Sequence, residues 1–136
     1  MRGAPRTRVA TAAAIAIAGA ATCVASDYVF GARDPYGATI GIGWDLLLAL
    51  PFGLVSLLVL VTGMSLVSAF AAAAALAGIA VVSYEWANTN ASSTAPVALL
   101  APWTTGIPLV VAVWIVDAAV RAGTGWRGWR RDERRA

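Results

Sequence analysis

Not one residue from Leu46 to Tyr84 is charged. A helix needs roughly 20 apolar residues to cross a hydrocarbon core about 30 Å thick. This run is too apolar for water and too long for one crossing. Thr62-Gly63-Met64-Ser65 near its middle supplies small, turn-permitting residues, so the run reads as two helices, at about 44–61 and 65–84, joined by a tight hairpin. Two further apolar stretches, at about 9–25 and 96–120, are long enough to cross as well. The expected fold is all-α: an antiparallel bundle of four transmembrane helices in a single domain, followed by a basic tail at 121–136.

Composition supports this solvent. The chain is 60% hydrophobic and 12% charged, against about half apolar and a quarter charged in ordinary soluble domains. All the basic residues are arginine, and histidine and lysine are both absent. Imidazole bases and ligands and lysine Schiff bases are therefore excluded. The single cysteine, Cys23, has no intramolecular partner and reads as a small apolar packing residue.

The first stretch is rich in alanine, and Ala12, Ala16 and Ala20, four apart, allow close approach of a neighbouring helix. Its basic start and Cys23-Val24-Ala25 also resemble a signal peptide cleaved before Ser26, with retention favoured. Ser65, Ala69, Ala73 and Ala77 form a second small-residue stripe, which nominates the third helix for the centre of the bundle. Pro51 lies within the second helix, and Pro96 suits the first turn of the fourth. Pro102 and Pro108 should kink that fourth helix.

Arginine placement sets the orientation. Arg2, Arg6 and Arg8 precede the first helix and six arginines lie from Arg121 onward, whereas Arg33 is alone in the loops between. Both termini are therefore expected on the cytoplasmic side, and the arginine-only, alanine-rich composition, read as GC-rich coding, suggests a bacterial plasma membrane. Trp44, Tyr84 and Trp86 fall at the outer interface in this frame, and Trp126 and Trp129 at the inner one. The tail interleaves these tryptophans with Arg127, Arg130 and Arg131, which suits anionic lipid headgroups better than nucleic acid.

No cofactor or metal site is expected. Thr39-Ile40-Gly41-Ile42-Gly43 has the look of a potassium-channel filter but lacks a preceding pore helix, so it reads as an outer loop. Asn90-Ala91-Ser92 matches a glycosylation acceptor and reads as unused. Asp45 and Glu85 are placed beside the outer-interface aromatics, and Asp117 as an end-of-helix partner of Arg121 at i, i+4 spacing. Asp117 and Arg121 are the candidate functional or pairing residues.

The segment Asn88-Thr89-Asn90-Ala91-Ser92-Ser93-Thr94-Ala95-Pro96 resembles a stretch in small, uncharacterised multi-helix membrane proteins of actinobacterial type. That resemblance implies a membrane location and no particular activity. The expected role is non-enzymatic, through helix packing with itself as a homo-oligomer or with a partner membrane complex. The rival is a small oligomeric transporter or pore, favoured by the prolines and by Ser56, Thr62, Thr104 and Thr105 in or near the membrane. An intramembrane enzyme, with the helix-end carboxylates as its only candidate groups, comes third.

Overall fold

The computed structural model describes residues 5–31, 39–89 and 95–133, with side chains described in these segments except at 95–96 and 125–133. Six α-helices and one π-helical turn make up nearly all of the described residues, and no strand occurs among them.

Helix α1, Pro5–Gly31, opens with proline in its first turn, where the missing N–H is no loss. It runs well beyond the expected 9–25. Ser26 and Asp27 do not end it, because both are buried and the Asp27 carboxylate accepts the Ile40 N–H at 3.2 Å.

The second expected helix is a bent pair, α2 (Ile42–Leu48) and α3 (Leu50–Val61), meeting at Ala49 with a 42° bend. Pro51 is the cause. It has no N–H to give to Leu47 O, and its ring crowds that carbonyl, so the chain starts a new helix with proline in the first turn. The expected hairpin is present: α3 ends at Val61, Gly63 takes a left-handed φ of 65°, and α4 (Leu66–Thr89) begins after Ser65.

The last apolar stretch is broken where a single kinked helix was expected. A one-turn α5 (Ala95–Ala98) leads into the π-helical turn Pro102–Gly106 and then α6 (Ile107–Glu133). Pro102 and Pro108 both lack the donor that an α-helical ladder requires, and a π turn shifts the pairing locally around such gaps. Near Arg121, where an end was expected, α6 simply continues. Arginine is a good helix former and no proline intervenes.

Helix α4 is central, packing against α1, α3, α5, the π turn and α6. The core centres on Val55, Val59, Met64, Leu76, Tyr84 and Val110. Two glycines set the closest approaches. A Cβ on Gly19 of α1 would stand 2.2 Å from Phe52 Cγ of α3, and one on Gly106 would stand 2.5 Å from Leu76 Cδ2 of α4. The alanine stripe of α1 supplies only Ala12 to the deep core, whereas the decisive residue, Gly19, lies outside it.

Three helical segments, Pro5–Gly31, Leu66–Thr89 and Pro102–Thr124, are long and apolar enough to cross a membrane, and the bent α2–α3 pair is a fourth if counted as one span. Large apolar side chains point outward on all of them, including Ile17, Val61, Val67, Phe70, Val82 and Val116. Three carboxylates, Asp27, Asp45 and Asp117, are turned inward.

Candidate functional site: two buried polar clusters

Asp117 and Arg121 form the expected ion pair, with Arg121 Nε 2.8 Å from Asp117 Oδ2. Its setting is not the exposed one that the spacing suggested. Asp117 is only 6% exposed. It accepts the Ser65 N–H at 3.2 Å on Oδ2 and the Ser68 hydroxyl at 2.8 Å on Oδ1. Ser65 is the N-cap of α4, and its own hydroxyl oxygen accepts the Ser68 N–H at 3.2 Å. The carboxylate thus sits at the positive end of α4 and takes up an amide that the helix leaves unpaired.

Arg121 does the converse for α3. Its Nη1 donates to Thr62 O at 3.1 Å and Gly63 O at 3.0 Å, placing a cation at the negative end of that helix. Trp114 Nε1 adds a bond to Thr62 Oγ1 at 3.1 Å. One i, i+4 pair on α6 therefore caps both helices of the α3–α4 hairpin, one with each charge.

The second cluster gathers Cys23 and Asp27 of α1, Asp45 of α2 and Tyr84 of α4. The Tyr84 hydroxyl donates to Asp45 Oδ1 at 2.6 Å, both residues being almost wholly buried. Cys23 is buried beside Tyr84, and the Asp27 carboxylate is close enough to Asp45 to interact with its charge. No ion pair to Asp27 or Asp45 occurs among the described residues. Desolvating a carboxylate without a counter-charge is costly, so the Tyr84 and Ile40 donors are what hold these two inside. No group of three or more histidine, cysteine, aspartate or glutamate residues is placed to hold a metal among the described residues.

Tyr84, expected as an outer-interface anchor, is corrected by this geometry. It is fully buried, because its hydroxyl is needed by Asp45. Asp45 is likewise buried within the protein. Trp44 and Trp86 are exposed. The side chains of Trp126, Arg127, Trp129, Arg130 and Arg131 fall outside the described set, although the α6 backbone passes through them. Sequence reasoning missed Asp27, Ser65 and Ser68 as cluster members. The available signal was a carboxylate or hydroxyl inside an apolar run, which reads as a defect until its distant partner is known.

No protein-family model, curated protein or solved structure matches the chain.

Proposed function

We propose that the chain is an integral, non-enzymatic protein of the bacterial plasma membrane, an antiparallel four-span bundle with both termini cytoplasmic, which acts by packing with itself or with a partner membrane complex. The observation that carries the membrane reading is the inverted distribution of side chains: valines and isoleucines outward on every long helix, and Asp27, Asp45 and Asp117 inward. In water the exposed apolar surface would be a liability, whereas in lipid it is the solvated face.

The contacts support counting α2–α3 as one crossing. Asp27, near the end of α1, meets Ile40 just before α2, while Arg8, near the start of α1, lies against Gly63 just after α3. The bent pair therefore traverses the length of α1. Helix α4 returns from the Gly63 end to the Asp45–Tyr84 level, and α6 brings Arg121 back to Gly63. The likeness of segment 88–96 to actinobacterial multi-helix proteins agrees with such a home.

Packing with another helix is favoured by a second face of α4. Val67, Ala71, Ala74, Gly78 and Val82 recur at helical spacing and are all exposed, and a Cβ on Gly78 would meet nothing within 4 Å. Outward-facing small residues let a neighbouring backbone approach closely. Native mass spectrometry after gentle extraction tests this. The wild-type chain should appear as an oligomer or with a partner, and Gly78→Leu should shift it to the free monomer with unchanged thermal stability. An unaltered assembly in the variant rules out this face.

The oligomeric transporter or pore is the second reading, favoured by Asp27 and Asp45, buried without an ion pair among the described residues. Ion or solute flux in liposomes, abolished by Asp45→Asn, would decide for it.

A further inference from the structure

Two guanidinium groups from opposite ends of the chain meet at one residue. Arg121 Nη1 donates to Gly63 O at 3.0 Å. Arg8 Nη1 lies 2.7 Å from the point a Cβ on Gly63 would occupy, with Cζ and Nη2 at 3.4 Å. The two cations are not equally provided for. Arg121 has the Asp117 carboxylate and two carbonyls, whereas Arg8, half-buried, makes no hydrogen bond or ion pair among the described residues. A guanidinium presents five N–H donors and stays charged at any physiological pH. Among the described residues, the cluster of Arg8, Arg121 and Asp117 therefore carries one uncompensated positive charge and a fork of unused donors.

We propose that Arg8, beside the Gly63 turn and Arg121, binds the phosphate group of an anionic phospholipid in the inner leaflet. This rests on the membrane reading above. The planar fork of arginine matches phosphate oxygens two at a time. The surroundings favour a lipid over free phosphate, because Val9, Val61 and Val67 are exposed close by in sequence to Arg8, Gly63 and Ser65 and suit acyl chains. Gly63 contributes by having no side chain, since any Cβ would displace the guanidinium.

The test uses the full-length protein in detergent micelles, titrated with phosphatidylglycerol or phosphatidylcholine and read by native mass spectrometry. Wild type should hold one phosphatidylglycerol that Arg8→Gln binds about fivefold more weakly, the factor expected for one arginine at an anionic surface. Arg8→Lys, which keeps the charge and loses the fork, should fall between them. Phosphatidylcholine should show no such difference, and excess inorganic phosphate should not displace the lipid. Equal phosphatidylglycerol retention by wild type and Arg8→Gln would overturn the site, and displacement by inorganic phosphate would overturn its assignment to lipid. Arg8→Gln should unfold within a degree or two of the wild-type temperature, since it breaks no hydrogen bond or ion pair among the described residues. Failure of the membrane reading would look different: the chain would leave cell membranes in alkaline carbonate without detergent.

Discussion

Asp117→Asn should destabilise the protein by about 3 kcal/mol, the range for removing one partner from a buried charge pair. An exposed i, i+4 pair would lose only about 0.2 to 0.5 kcal/mol. The difference comes from what the carboxylate touches. It accepts from Ser65 N, Ser68 Oγ and Arg121 Nε, so both oxygens face donors. Asparagine is nearly the same size, but one of its two terminal atoms is an NH2, which must then confront a donor. Removal of the charge also leaves Arg121 holding the C-terminus of α3 without its counter-ion. Arg121→Gln should cost somewhat less, about 2 kcal/mol: water can replace part of what the 39% exposed guanidinium loses, but the Asp117 carboxylate is left buried without its counter-charge, held only by the Ser65 and Ser68 donors. Unfolding in detergent, followed for both variants, checks the asymmetry. Small and equal losses would mean that the hairpin does not depend on this clamp.

Gly19→Leu should be at least as damaging, by about 3 kcal/mol, at the upper end of what overpacking a close-packed interior costs. Even the first added carbon would overlap Phe52, at 2.2 Å from Cγ and 2.5 Å from Cβ. Phe52 has nowhere to go, being 2% exposed and close to the bend made by Pro51. The helices α1 and α3 would have to separate, which also pulls the Ser56 hydroxyl from Ala12 O, now 2.7 Å away. Gly53→Leu provides the contrast, since a Cβ there meets nothing within 4 Å. It should be neutral or slightly stabilising, because glycine is a poor helix residue. Equal melting temperatures for the two leucine variants would show that α1 and α3 are not packed through Gly19.

What could be read from the chain was local. Thr62-Gly63-Met64-Ser65 announced a turn because small residues and a glycine able to take positive φ stood amid uniform apolarity. Pro51, Pro102 and Pro108 announced disturbance, though not that two of the sites would become full breaks. The end of α1 was misplaced because Asp27 looks like a residue that water should claim. Only its bond to Ile40, thirteen positions on, explains why it stays inside. Tyr84 was assigned to an interface for a related reason. A tyrosine at the end of an apolar run has two ordinary uses, as an anchor in headgroups or as a buried donor, and its partner Asp45 is 39 residues away. The Asp117–Arg121 pair was legible from spacing, yet its role as a double cap depended on Ser65 and Gly63, more than fifty residues distant. Helical spacing identifies neighbours within a helix and carries no information about which turn a helix will lie against.

The central claim, that four spans leave both termini inside, depends most on the bent α2–α3 pair being a true crossing. A topology reporter fused after Asn90 reads this directly. If α2–α3 crosses, then α1, α2–α3 and α4 make three crossings from a cytoplasmic start, and the reporter should be active outside, with matching outside activity after Gly31 and inside activity after Arg135. If the pair instead enters and leaves on the same side, α4 is only the second crossing and the Asn90 reporter will be active inside, which would contradict the account.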